Sequence, residues 1–245
     1  MFARTVIRRG RDEGERPFWI SFADLMTACM TVFLIVMAVT IAAMREELDA
    51  FAKATELSRE RQEDIEAFAE RLQERSKAVR PAVTVRLIKD TVRIDLGSAA
   101  NFASGSADLS PGGSRFLREY FPRVLEAAST PEGKKWLKRI VVEGFTDSDG
   151  AYLFNLDLSL QRSRKVVCTM FAPAQPGERQ MLQAEREQIR DLFLVGGYSS
   201  SAAQPSKAKS RRVELKLEFW QLGEKEQEEK SLRPSNSSNV EFGKC

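Results

Sequence analysis

Residues 18–44 (FWISFADLMTACMTVFLIVMAVTIAAM) are overwhelmingly apolar and carry a single charge, Asp24. The run exceeds the roughly 20 residues a helix needs to cross a bilayer, which predicts one membrane helix over 18–44. From 45 to 80 the chain turns charged and helix-favouring, with no Gly or Pro until Pro81, and reads as a helical stalk. Within it Ile65, Phe68, Leu72 and Val79 follow spacings of three, four and seven. That seam suits pairing with a second copy, and a single solvated helix fits so short a seam nearly as well.

Beyond Pro81 the apolar period shortens to two. Val83, Val85 and Leu87, then Val92, Ile94 and Leu96, alternate with polar residues and predict two strands joined as a hairpin through Lys89, Asp90 and Thr91. After Phe102 and the turn-rich SGSADLSPGG, the positions of Phe116, Leu117, Tyr120, Phe121, Val124 and Leu125 fit a helix that Ser110-Pro111 would start. A buried strand is expected over 140–145, a helix over 155–170, a loop and polar helix up to 191, and strands over 192–196 and 212–219. The order is β-β-α-β-α-(α)-β-β, an α+β fold class: one mixed α/β domain over 81–221. A short segment, 1–17, precedes the membrane helix, and the polar tail 222–245 is expected to be disordered.

Asp24 is costly where it stands. An ionised Asp near the bilayer centre costs about 2.5 to 3.5 kcal/mol on insertion scales, and such carboxylates face a partner helix or a water-filled path. At about 1.5 Å per residue Asp24 lies roughly 9 Å into the span, too deep to reach the headgroups. Ser21, Asp24, Thr27, Ala28 and Thr31 share one helical face, a small polar stripe among apolar neighbours. Such a stripe suits reversible ion loading; a packing carboxylate bonded to a partner's Arg or hydroxyl is the alternative.

Composition narrows the function classes. The 245 residues hold 38 Lys and Arg against 35 Asp and Glu, a net charge of +3, with no concentrated basic patch interleaved with aromatics, so direct nucleic-acid binding is not expected. The chain has no His, which excludes a Ser-His-Asp triad, a Cys-His pair and a His-ligated zinc site; no catalytic site and no enzyme activity are expected. Cys29, Cys168 and Cys245 lack metal-ligand spacing and read as unpaired thiols, Cys168 as a small core residue, with Cys245 placed to cross-link dimers outside the cytoplasm. The apolar run is too long for a signal-peptide core and should be retained as an anchor. Arg4, Arg8, Arg9, Arg11 and Arg16 before the span, against Arg45, Lys53, Arg59 and Arg61 after it, slightly favour a cytoplasmic N-terminus.

The segment Trp19-Ile-Ser-Phe-Ala-Asp24-Leu-Met-Thr-Ala and the apolar stretch after it resemble the membrane segment of the MotB-type stator family. The resemblance implies that Asp24 binds the driving ion, that two copies sit inside a ring of A-type (MotA-like) subunits, and that ion passage turns the ring. Ser21, Thr27 and Thr31 are the accompanying ion-path candidates. They either ligate sodium or simply pack, so both proton and sodium fit, and no cofactor is expected beyond the transported ion.

Four blocks further on are Glu143-Gly-Phe-Thr146-Asp147-Ser-Asp-Gly150, Phe154-Asn155-x-x-Leu158-Ser159-x-x-Arg162, Gly197-Tyr198-Ser199 and Ser210-Arg211-Arg212-Val213-Glu214. In that order they resemble the OmpA-like peptidoglycan-binding domain over roughly 82–220. Phe145 stands where that family often has His, and 173–187 reads as an insertion. The resemblance implies that Asp147, Phe154, Asn155, Leu158 and Arg162 bind peptidoglycan through diaminopimelate. The chemistry fits: diaminopimelate presents an ammonium beside a carboxylate, so its receptor needs a carboxylate beside a guanidinium fork, here Asp147 and Arg162. Asn155, Leu158 and Arg162 lie at i, i+3 and i+7, one helical face. A bare Asx-turn at Asp147 with a surface ion pair at Arg162, or a calcium loop at Asp147, Asp149 and Asp157, are weaker alternatives.

The short N-terminal block from Pro17 to Thr27 and the compact stalk are more similar to the B-subunit family of Zorya antiphage systems than to flagellar stators. That likeness implies a pentameric A-subunit (ZorA-like) ring around a B-subunit dimer, ion-driven rotation, and signalling to cytoplasmic effectors. It also implies a single-pass inner-membrane protein with a periplasmic C-terminal domain. A flagellar stator subunit and a passive tether from membrane to cell wall are the alternatives, and the tether leaves Asp24 unexplained.

Overall fold

The computed structural model describes residues 16–100, 102–225 and 242–243, with only the helical backbone for residues 16–18, 20 and 21. The expectations for segment 1–15, for most of the tail and for Cys245 lie outside the described residues. The expected membrane helix and stalk form one helix, α1 (Arg16–Val79), of 64 residues. Two compact units divide within it, the first ending at Glu56 and the second beginning at Leu57.

In the first unit, Trp19, Phe22, Leu25, Met30, Phe33, Ile35, Val39 and Met44 are all exposed. An apolar surface all round a helix is stable only away from water, and by length and composition α1 can cross a membrane. Cys29 is a free, exposed thiol.

The second unit is built on a five-stranded sheet in the order β1-β2-β5-β3-β4. Its strands are β1 (Thr84–Ile88), β2 (Thr91–Asp95), β3 (Leu137–Gly144), β4 (Phe193–Gly197) and β5 (Val213–Phe219). β1 and β2 form the expected antiparallel hairpin, with Val85 opposite Ile94. Strand β5 inserts antiparallel between β2 and β3, while β3 and β4 run parallel; the parallel pair requires a crossover, which the helix after β3 supplies. The alternation read for the second strand puts Val92 and Ile94 in the core, where Ile140, Val142, Leu215 and Leu217 of β3 and β5 join them fully buried.

Helix α2 (Pro111–Ala128) starts as expected, Ser110 Oγ accepting from the Gly113 N–H at 3.0 Å with Pro111 in the first turn. Its Phe116, Leu117, Tyr120, Phe121, Val124 and Leu125 enter the core. A six-residue helix, α3 (Pro131–Trp136), follows, then after β3 come α4 (Tyr152–Phe171) and α5 (Gln183–Leu192), and α6 (Lys207–Ser210) precedes β5.

The seam on the stalk is not left for a second copy. Ile65, Phe68, Ala69 and Leu72 are buried in the core of the chain's own domain, and Phe68 meets Phe219 edge-to-face at 5.6 Å. Polar neighbours fasten the same stretch: Arg61 Nε donates to Trp220 O at 2.7 Å, Trp136 Nε1 to Asp64 at 2.8 Å, and Ser76 Oγ shares a 2.7 Å hydrogen bond with Tyr120 OH. The coiled-coil reading is therefore corrected, and the solvated-helix reading is corrected from Arg61 to Ser76, whereas residues 45–60 are exposed along the helix as that reading has it. A heptad-like seam of two turns equally suits a helix docking on a sheet, and here it meets Phe219 while Gln73 Oε1 accepts from the Val85 N–H at 2.7 Å.

Two further expectations change. Cys168 is disulfide-bonded and only half-buried, not a free core thiol. The domain continues past 221, where Lys138 binds Glu224 at 2.6 Å, and Phe242 lies 5.0 Å from the Phe171 ring and 5.9 Å from the Arg190 guanidinium. The segment 173–187, read as an insertion, is held by buried Arg118, which pairs at 3.1 Å with Glu178, a half-buried residue whose side chain is 5 % exposed, and donates to Ala172 O at 2.8 Å.

Candidate functional site

Two sites were expected, one in each unit. On α1, Asp24, Thr27, Ala28 and Thr31 fall at i, i+3, i+4 and i+7 of continuous helix, so the stripe exists as read. Thr27 Oγ1 donates to Ala23 O at 2.7 Å and to Asp24 O at 2.9 Å, and Thr31 Oγ1 to Ala28 O at 2.8 Å. Each hydroxyl proton is thereby held by the helix, and oxygen lone pairs are what remain to face outward. Ser21 is helical, and its side chain lies outside the described residues.

The second site sits where β3 ends. Gly144 is the last residue of β3, and α4 crosses it so closely that a Cβ there would come 1.9 Å from Ser159 O. Gly197 on β4 takes the same helix: a Cβ would meet Leu160 N at 2.8 Å. Ser159 fills the crossing, its Oγ donating to Leu156 O at 2.7 Å and accepting from Ser199 N at 3.0 Å. Two glycines and a serine let the helix lie directly on the strand ends, which brings residue 162 beneath the loop that follows β3.

That loop, residues 145–151, is built around Asp147. The chain turns at Gly150, whose φ of +94° suits glycine. Asn155, buried on α4, donates to Asp149 O at 2.8 Å and reaches Asp147 O at 3.5 Å, so its role is to hold the loop. Asp147 accepts from the Asp149 N–H at 3.3 Å, an Asx-type bond. The expected partnership with Arg162 takes a different form. Arg211 Nη1 donates to Asp147 at 2.9 Å.

Arg162 is fully buried. Its Nε, Nη1 and Nη2 donate to Ser106 O, Phe145 O and Ala103 O at 3.0, 2.9 and 3.0 Å, and its guanidinium lies 5.3 Å from the Phe102 ring. It binds the loop after β3 to the loop before α2. Burial lowers its pKa to about 10, with the Asp147 charge acting against the shift and Arg211 with it; it remains a cation at neutral pH. For Asp147, burial raises the pKa, but hydrogen bonds from Arg211 and the Asp149 N–H and the fields of Arg211 and Arg162 outweigh it, leaving the carboxyl below its usual range.

The remaining candidates divide. Leu158 is buried beneath the site, whereas Phe154 is 57 % exposed beside Tyr152 and Leu153, which are also exposed. Asp149 binds Lys207 at 2.7 Å and Asp157 accepts from Gln161 at 2.7 Å, so the three carboxylates of the calcium alternative each have a partner other than one another. Among the described residues no group of three or more Cys, Asp or Glu side chains is placed to hold a metal.

Arg211 is the site residue that sequence reasoning left out. It was visible as the first of two consecutive arginines before β5, and consecutive residues at a strand start point to opposite sides. Arg211 turns to Asp147, while Arg212 turns away, binding Glu214 at 2.7 Å and lying 4.3 Å from the Phe145 ring.

No protein-family profile matches the chain. Among solved structures it is similar in fold to the periplasmic domain of Helicobacter pylori MotB, with 15% identity and a TM-score of 0.42 over 62% of this chain and 90% of that one. Among curated proteins it is 26% identical over 231 residues to the Zorya protein ZorB of Escherichia coli strain ATCC 8739, covering 84% of this chain and 90% of that protein. The likeness to the Zorya protein ZorB of Escherichia coli O139:H28 is greater, 42% identity over 220 residues, 90% of this chain and 87% of the relative. An alignment of that identity takes in nearly the whole chain, apolar helix and sheet domain together, and places it in the ZorB family of Zorya proteins.

Proposed function

We propose that this protein is the peptidoglycan-anchored B subunit of an ion-driven rotary motor in the inner membrane, serving Zorya-type antiphage defence. The observation that carries this reading is Asp24: a lone carboxylate on an otherwise apolar, exposed helical surface, with Thr27 and Thr31 on the same face. A tether needs no such residue, and its insertion is unfavourable by about 2.5 to 3.5 kcal/mol on insertion scales. Two copies stand within a ring of A-type subunits, taken here as pentameric. Asp24 exchanges a proton or sodium ion with a path along that ring, and its neutral, loaded form is the one compatible with apolar surroundings. The N-terminus is cytoplasmic and the sheet domain periplasmic, where the Asp147 loop holds the stem peptide of peptidoglycan and keeps the B subunits still while the ring turns. The chain acts as a stator part rather than as a catalyst.

Plaque counts on a phage-sensitive bacterium carrying the gene with its native neighbours test the motor claim. Wild type should protect and Asp24→Asn at equal expression should not. Undiminished protection in Asp24→Asn would sink the motor. Absence of protection with either protein would favour a flagellar stator, which rescue of swimming in a stator-less strain would then reveal.

A further inference from the structure

The end of the chain returns to helix α4. Phe242 lies 5.0 Å from the ring of Phe171, the last residue of α4, and 5.9 Å from the Arg190 guanidinium on α5. The sequence holds three cysteines, at positions 29, 168 and 245. Cys29 is a free thiol, whereas Cys168, one turn before Phe171, is disulfide-bonded. Cys245 is then the one partner the chain can supply. Reach agrees with this pairing. Phe242 and Cys245 are separated by at most about 11 Å of extended chain, and positions 168 and 171 stand about 4.5 Å apart along the helix axis. A tail seated at Phe242 therefore carries the Cys245 thiol to Cys168.

The surroundings of Cys168 suit thiol chemistry. The residue is half-buried and lines a cavity of about 550 Å³ together with Arg164, Lys165 and Thr169. A small oxidant can reach the sulfur there, and two cations one turn away favour its thiolate. We propose that Cys168 and Cys245 form an oxidation site that clamps the C-terminal tail to α4 and takes a disulfide as its co-reactant. This rests on the periplasmic placement proposed above, because such a bridge persists in an oxidising compartment. The Cys168 thiolate attacks the S–S bond of the oxidant, giving a mixed disulfide and one released thiol. The Cys245 thiolate then attacks the Cys168 sulfur and displaces the second thiol. Two protons and two electrons pass from the cysteines to the oxidant, which leaves as two thiols. The bridge encloses α5, β4, α6 and β5 in one covalent loop, while the Lys138–Glu224 pair at 2.6 Å fixes the other end of the tail. It also consumes the thiol that would otherwise join two chains.

The test uses the full chain purified in detergent without reductant. A glutamate-specific protease, which cuts after Glu241, should release residues 242–245 joined by a disulfide to the peptide carrying Cys168, and a non-reducing gel should show a monomer. Reduction should separate the two peptides and lower the thermal midpoint by about 5 to 15 °C. Cys29→Ser should change neither result, and Cys245→Ser should start at the reduced midpoint. Oxidised glutathione should restore the bridge in the reduced wild type, whereas Phe242→Ala should need a higher ratio of oxidised to reduced glutathione. Dimers linked through Cys245, a Cys168 that ends only as its glutathione adduct, or a midpoint indifferent to reduction would overturn the clamp. Alkylation of intact cells separates this from failure of the placement: thiols that are free in cells yet close with glutathione would overturn the periplasmic reading and leave the clamp standing.

Discussion

Gly144 and Ser159 touch backbone to backbone: a Cβ on Gly144 would lie 1.9 Å from the Ser159 carbonyl oxygen. The strand end and α4 therefore approach as closely as two polypeptides can, and the loop carrying Asp147 starts at that contact. Gly144→Ala forces α4 off the sheet and should destabilise the domain by about 3 kcal/mol, the upper part of the range for overpacking. Gly112→Ala, whose Cβ would find nothing nearer than Ser110 Oγ at 4.0 Å, serves as the control and should be almost neutral. Denaturant midpoints of the two variants check this.

The docking of the stalk is tested at Leu72, which is 1 % exposed in the core beside Phe68 and Ile65. Leu72→Ala should cost about 2 to 5 kcal/mol, as for other large-to-small core changes. The unfolding midpoint should be lowered equally at all protein concentrations. A loss that fades as concentration rises would instead return the seam to a dimer interface.

Which features were legible in the sequence follows from how local their causes are. The hairpin, the Ser110-Pro111 helix start and the alternation in β2 depend on neighbours within a turn or a strand, and they are found as read. The apolar run and Asp24 needed only a count. The destination of the stalk seam was not legible, because the spacing of Ile65, Phe68 and Leu72 says that a face is apolar without saying what covers it. The same limit hid the partner of Asp147. Helical spacing correctly placed Asn155, Leu158 and Arg162 on one face, but that face is the buried one. The guanidinium that reaches the carboxylate comes from a segment 64 residues away in sequence. Cys168 escaped for the related reason that a disulfide is decided by proximity in space.

Arg118 and Glu178 test the insertion at 173–187. Both side chains are nearly inaccessible, at 2 % and 5 %. Burial lowers the Arg118 pKa even though Glu178 opposes the shift. Removing one member of such a pair leaves a buried charge uncompensated, so Glu178→Ala should cost about 3 to 5 kcal/mol. New protease cleavage within 173–182 of otherwise folded protein would show that the loss begins at the insertion.

At alkaline pH the reporter is Tyr120, whose hydroxyl is pushed up to about 12 by burial, against the opposing pull of its hydrogen bond with Ser76. A raised folded pKa favours the protonated phenol in the native state. Its contribution to stability is therefore complete below pH of about 10, the unfolded value, and is lost as pH rises through about 12. Tyr120→Phe should flatten the stability profile over that interval, at the cost of one hydrogen bond, about 1 kcal/mol, at neutral pH.

At acid pH the sign reverses for Asp147. Its carboxyl is held below the ordinary range by Arg211, the Asp149 N–H and Arg162, which together outweigh burial. A depressed folded pKa means that the native state prefers the ionised form. The stabilisation is present above pH of about 3.9 and disappears as pH falls through the folded value. Asp147→Asn should therefore be less stable than wild type at neutral pH and approach it at the acid end, read from denaturant midpoints taken from pH 7 downward. The same carboxylate is the group that would receive the ligand's ammonium. Retention of the wild-type chain on isolated peptidoglycan should accordingly persist to pH values below the ordinary carboxylate range, and Asp147→Asn should abolish it at every pH. Retention of Asp147→Asn at neutral pH would separate the fold's need for this carboxylate from any role in holding the wall.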